Sequence, residues 1–225
     1  MRRRILIIWE LGAGYGHLQT FPDLAEALQA LGHEVMFAVR DVAAAEVVLG
    51  SRGFRVLQAP IWVNPKVRQP PTPSFPEVLL RYGYDNPTAL LGLAKAWREL
   101  FGLLQPDLIL ANYSPTALLA SRGLSIPRLS FGTGFECPPP VEPIPSLMPW
   151  EKVAPAKLIE LERKALDGAN EVLRGLGEPP MTQLSDQFQT DETLLCTLPV
   201  LDAYSQHRPK DAHYWGPRLY AAGGT

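Results

Sequence analysis

Between residues 10 and 20 the chain reads ELGAGYGHLQT, which sets three glycines and a histidine in the turn after an apolar run. Two kinds of chemistry fit such a turn. Glycine-rich backbone ahead of a helix can cradle a phosphate, because its N–H groups approach the anion closely and the helix N-terminus favours negative charge. A dinucleotide fingerprint, G-x-G-x-x-G, needs a third glycine so that helix and strand pack closely. Here Gly12 and Gly14 take the first two positions and His17 takes the third. The fingerprint also wants an acidic residue closing the second strand, where this chain has Arg40 and then Asp41, so an NAD(P)-binding reductase stands as the alternative. The other chemistry is proton transfer by His17. At the start of a helix the macrodipole disfavours imidazolium, and a neutral ring can accept a proton.

The surrounding pattern says which elements hold that turn. RILIIW, residues 4–9, is a short apolar run suited to a strand buried on both faces. Phe21, Leu24, Leu28 and Leu31 recur at helical spacing and Gly32 ends the run. EVMFAVR reads as a second strand, residues 41–50 as a second helix and FRVLQA as a third strand. Helix returns near 87–104, LILAN is strand four, PTALLASRG a short helix and PRLSF strand five. A charged amphipathic helix spans about 155–174, TLLCT is a further strand and AHYWGP a last short one. This alternation predicts an α/β fold, a doubly wound and mostly parallel sheet with right-handed crossovers. In such sheets ligands sit beyond the carboxyl ends of the strands, so the loops after strands one, three, four and five should share a crevice. Two of the connecting segments are proline loops. Residues 60–76 carry six prolines and are expected to lack regular structure, and ECPPPVEPIPSLMPW precedes the charged helix.

Composition narrows the function classes. The chain has 225 residues, 46% of them hydrophobic, and a formal charge of −2 with both signs mixed along it. No long-range field is available to hold nucleic acid or an anionic membrane. Cys137 and Cys196 lie far apart with no CxxC spacing, and His207 and His213 lack partners at ligand spacing, so no disulfide framework and no metal site is expected. A reducing cytoplasm fits this cysteine usage. The basic start MRRRILIIWE has too short an apolar stretch for a secretory leader, and no apolar run approaches the ~20 residues of a membrane span.

Several motifs, taken in order, resemble the amino-terminal half of GT-B glycosyltransferases of the kind that transfer sugars from UDP- or dTDP-activated donors to small acceptors. G-H-x-x-P, a helix and L-x-x-x-G-H-E-V appear as GHLQT and LQALGHEV, with Thr20 in place of the proline. QPDLILANYSPTALLASRGLSIPRLSFGTGF is similar to the family's P-D-x-x-x-x-D, helix, G-I-P, strand and threonine-bearing loop, and HYWGP is similar to the strand before its interdomain linker. The resemblance implies a Rossmann-like acceptor-binding domain over residues 1–215, a linker beginning at 216–225, and a C-terminal nucleotide-sugar-binding domain outside this chain or on a separate subunit. The family's H-G-G-x-G-T phosphate box is nowhere in the sequence. Residues 1–225 by themselves are therefore expected to transfer no sugar.

By the same resemblance His17 is the general base of an inverting, metal-independent transfer, with no cofactor beyond the nucleotide-sugar co-substrate. Gly14, Gly16 and Thr133 would contact the donor. Tyr15, Trp62, Phe135, Trp9 and Phe131 would form a flat apolar acceptor pocket, with Trp9 and Phe131 also falling inside strands. The family places an aspartate on the loop after strand four to stabilise the charged histidine, and this chain has Asn112 there. An amide can orient an imidazole but supplies no negative charge. Glu10, at the exit of strand one, is a candidate substitute carboxylate. The departure at 112 also leaves a second possibility, a catalytically silent homologue that binds a lipophilic ligand or supports a partner. His33, in LGHEV, is assigned to a structural turn.

Overall fold

The computed structural model of the protein describes residues 1–63 and 73–217. Six strands form one parallel sheet: β1 (Arg4–Trp9), β2 (Glu34–Val39), β3 (Arg55–Gln58), β4 (Leu108–Asn112), β5 (Arg128–Gly132) and β6 (Glu192–Leu195), in the order β3-β2-β1-β4-β5-β6. This is a doubly wound order, and its direction reverses between β1 and β4. A crevice must open there, because the loops leaving those two neighbours depart to opposite faces of the sheet.

The near-continuous apolar strands are explained by cover on both faces. Ile5, Ile7 and Trp9 of β1 join Val35, Phe37 and Val39 of β2 in one core under α1 (Pro22–Ala30) and α2 (Val42–Leu49). Leu6 and Ile8 point the other way, into a larger core with α3 (Phe75–Leu79), α4 (Pro87–Leu104), α5 (Pro115–Ala120) and α6 (Pro155–Gly175). Residue types set the limits of α4. Asn86 accepts the Ala89 N–H at its start, Pro87 takes the first helical position, and Gln105 ends it in the left-handed region at φ 46°. Its inward stripe, Leu90, Ala94, Trp97, Phe101 and Leu104, follows the helical repeat and is buried throughout. Truncating Trp97, fully buried at 0% exposure, should destabilise the domain by about 3–5 kcal/mol, read as a lower urea midpoint at unchanged slope.

Three expectations change. The proline loop 60–76 does not stay irregular to its end: Ser74 accepts the Glu77 N–H at 3.4 Å and starts α3 with Pro76 inside its first turn, while residues 64–72 lie outside the described residues. AHYWGP does not form a strand but a single parallel bridge, Leu195 to Tyr214, with the Trp215 N–H on the Leu195 carbonyl. His17 does not stand at the start of a long helix. It precedes a three-residue 3-10 turn, Leu18–Thr20, and α1 begins only at Pro22, so the helix dipole is displaced from the ring. Of the expected linker, residues 218–225 lie outside the described residues.

Candidate active site

The last rung of the sheet builds the site. Trp9 ends β1 beside Asn112, which ends β4. Asn112 is 2% exposed, so its amide must find partners inside the protein. Its Nδ2 donates to the Phe131 carbonyl at 2.9 Å, which turns Oδ1 toward His17, whose Nδ1 lies 2.8 Å away. That orientation decides the tautomer: an amide oxygen only accepts, so the proton sits on Nδ1 and Nε2 keeps its lone pair.

The rest of the ring is fixed by packing. His17 stacks on Trp9 (centroids 5.3 Å, 24°) and on Tyr113 (6.0 Å, 26°). Tyr113, the residue after Asn112, takes φ 44°, a conformation that costs a side-chain-bearing residue about 1–2 kcal/mol. The Leu11 N–H on its carbonyl, at 2.9 Å, helps to hold it there. Burial pushes the Tyr113 hydroxyl far above its ordinary value, so the ring meets His17 as a neutral surface. Thr20, in the family's proline position, donates its hydroxyl to the His17 carbonyl at 2.7 Å and so closes the turn from the other side.

A second acceptor faces the same nitrogen. Glu136 Oε1 lies 3.3 Å from His17 Nδ1, and Oε2 accepts the Thr133 N–H at 2.5 Å. Burial raises the Glu136 carboxyl above the usual value, while His17 and the Thr133 N–H pull it back down. Sequence reasoning did not select Glu136, although its signal was present: T-G-F-E is a capping box, in which the residue three along folds its carboxylate back onto the first N–H.

Glu10, the candidate substitute, is a correction. It is 1% exposed, and its Oε2 accepts the N–H groups of Thr116 and Ala117 at 2.9 and 3.2 Å, capping α5 on the sheet face opposite Trp9. Burial pushes its carboxyl up to about 7 against these hydrogen bonds. A group raised in this way stabilises the fold below its ordinary value near 4.5, and that contribution is lost as pH rises through 7. Raising the pH from 5 to 8 should cost the native chain about 2 kcal/mol more stability than it costs Glu10→Gln.

Comparison with known proteins bears on the fold. No protein-family model matches the sequence, and no curated protein matches it. Solved structures do: the glycotransferase of kitacinnamycin at 18% identity and TM-score 0.60, over 98% of this chain and 53% of that one; CalG4, the calicheamicin glycosyltransferase, at 17% and 0.60, over 100% and 55%; and the spinosyn rhamnosyltransferase SpnG complexed with thymidine diphosphate, at 18% and 0.55, over 99% and 52%. The fold is that of a GT-B glycosyltransferase domain. This chain spans about half the length of the solved chains it matches.

A cleft of about 370 Å³ opens beside the imidazole, lined among others by Gly16, His17, Asn112, Phe131, Thr133 and Glu136. Of the donor candidates, Gly16 and Thr133 border the cleft, and Gly14 sits in the same turn at φ 80°. The acceptor candidates are spread more widely. Phe135 is half-buried and meets Tyr113 edge-on at 5.2 Å and Phe75 at 6.2 Å, which extends the aromatic surface from His17. Tyr15 is exposed on the glycine turn, and Trp62 packs over Gly83 in the turn after α3. Trp9 and Phe131 are core residues at 1% and 4% exposure. Trp9 supports the histidine from beneath; Phe131 borders the cleft beside the imidazole, and its carbonyl holds the Asn112 amide. Tyr113 and Phe75 are the aromatic residues that sequence reasoning missed. Among the described residues, no group of three or more His, Cys, Asp or Glu could hold a metal ion, and no helix is long and apolar enough to cross a membrane.

Proposed function

We propose that this domain is the acceptor-binding half of a glycosyltransferase that moves a hexosyl group from a UDP- or dTDP-activated sugar to a hydroxyl of a small, apolar acceptor, with inversion and without a metal. The observation that carries the reading is His17 at the switch point of the sheet, its Nδ1 tied to Asn112 and its Nε2 left to accept a proton. His17 takes the hydroxyl proton while the oxygen attacks the anomeric carbon from the side opposite the leaving diphosphate, so one displacement inverts the centre. Tyr15, Trp62 and Phe135 would offer flat apolar surface for the acceptor, with Phe135 backed from the core by Tyr113 and Phe75. Gly16 and Thr133, which line the cleft, and Gly14 in the same turn would contact the donor. The thymidine diphosphate bound to SpnG supports a nucleotide-sugar donor, held by a second domain. The close fit of the imidazole against Gly12 speaks against the dinucleotide alternative, because a pyrophosphate over that turn would have to displace the ring.

The test is transfer by the protein in which this domain is joined to, or paired with, its donor-binding domain. With UDP- and dTDP-glucose and a panel of aromatic and alicyclic alcohols, a product heavier by one hexose, of anomeric configuration opposite to the donor's and formed equally well in EDTA, is expected. NADPH binding by residues 1–225 in a fluorescence titration, with no transfer, would replace this reading by the reductase.

A further inference from the structure

We propose that Glu136 is the positioning carboxylate that makes His17 a base, supplying the negative charge that the amide at 112 cannot. The inference rests on the reading of His17 as the proton acceptor in sugar transfer. Asn112 has both ends of its amide engaged, one on the Phe131 carbonyl and one on His17 Nδ1, so it fixes the ring's rotation and tautomer but leaves an imidazolium uncompensated. Glu136 Oε1 lies 3.3 Å from the same Nδ1, on a side chain only 9% exposed. At that distance and burial a carboxylate and an imidazolium interact far more strongly than in water.

Three features aim this carboxylate at the ring. Gly132 supplies room: a Cβ there would lie 2.1 Å from Glu136 Oε2 and 3.0 Å from Asn112 Nδ2. The capping box folds the side chain back onto the Thr133 N–H. Arg208, itself paired with Asp202 at 2.8 Å, donates to the carbonyls of Gly134 and Cys137 at 3.0 and 2.6 Å and clamps the turn that carries Glu136 between them.

The acceptor's O–H bond breaks, its proton goes to Nε2, and its oxygen electron pair forms the new bond to the anomeric carbon. The bond from that carbon to the diphosphate oxygen breaks, and the diphosphate leaves with the pair. Glu136 stays ionised and takes no proton; it balances the positive charge on the ring until the proton is released to solvent. Asn112 and Glu136 therefore have unlike duties. Asn112→Asp would set two carboxylates on one nitrogen and lose the Nδ2 contact to Phe131, and it should not raise the rate.

The groups that face His17 are Glu136 from the loop after β5 and Tyr113 from the end of β4, with Cys196 lining the same cleft after β6 and Trp9 contributing no charge. The first test is an NMR titration of residues 1–225 as they stand. The Glu136 side-chain carboxyl carbon should show an inflection at the pH where the His17 ring titrates, and its absence overturns the proposal without any variant. In Glu136→Gln, which keeps the N–H cap, the pH dependence of the His17 ring signals should change; curves that overlay those of the native chain overturn the proposal. Glu136→Asp, with charge but shorter reach, should fall between. In the two-domain protein Glu136→Gln should lower kcat roughly 10-fold or more at little change in acceptor KM, with the acid limb of the pH profile moved to lower pH. If sugar is transferred and His17→Ala abolishes it while Glu136→Gln is silent, Glu136 has no such role. If no sugar is transferred at all but the coupled titration stands, the functional reading fails and the pair does not.

Discussion

Replacing His17 with alanine is expected to cut the turnover of the two-domain protein by at least ~10²-fold, toward the upper end of what a positioned general base contributes. The loss should fall on kcat, because in the proposed mechanism the imidazole acts on a proton that moves only in the transition state. Little of it should appear in acceptor KM, since the apolar surface of Tyr113 and Phe135 remains. Stability should fall by about 1–2 kcal/mol, because the buried Asn112 Oδ1 loses its partner, while the turn is still closed by the Thr20 hydroxyl on the carbonyl of residue 17. Steady-state kinetics with a urea midpoint measured alongside checks both halves of the expectation. A rate within threefold of the native protein removes His17 from the mechanism.

Gly12→Ala should have nearly the same effect on rate for a different reason. Gly12 sits at φ +90°, and a Cβ on it would lie 2.3 Å from His17 Nε2. The backbone strain is worth about 1–2 kcal/mol. The clash is with the atom proposed to receive the proton, so the imidazole has to tilt off its stack with Trp9 and Tyr113. A displacement of ~1 Å in such a group can cost ~10²-fold in rate. Two neighbours serve as controls. Gly14 also has positive φ but open space around its Cβ, so Gly14→Ala should lose stability and keep its acceptor-side geometry. Gly16 has neither constraint, and alanine there should be close to neutral in stability. If Gly12→Ala retains full activity, the ring does not need the position it holds in this structure.

Much of the scaffold was legible in residue order. β1, β2, β4 and α4 were readable because each is a long run with one dominant period and clear ends, such as the Asn86-Pro87 start of α4. The weaker segments failed for a physical reason. Tyr214 and Trp215 have strand-like residue types, but only one rung of β6 is available to pair with them. α3 was hidden because the six prolines around it argue against regular structure, although Pro76 lies inside the first turn, where proline is tolerated. The glycine turn that carries His17 was legible in the sequence, whereas the carboxylate that lies beside its ring was not. Glu10 is near in sequence and 7 residues away, but β1 carries its side chain to the opposite face of the sheet.

The sequence alone determined the parallel α/β architecture, the glycine turn and the departure from aspartate at position 112, because strand periodicity and residue identity are local properties. Tertiary structure decided which acceptors meet the histidine. Asn112 and Glu136 lie 95 and 119 positions from His17, and both reach the same nitrogen only because β1 and β4 pair side by side and β5 follows β4 in the sheet. Hydrogen-bond geometry at that last rung, set by the Phe131 carbonyl and by the room left at Gly132, cannot be read from spacing along the chain, since it depends on strands brought together by burial of two cores on opposite faces.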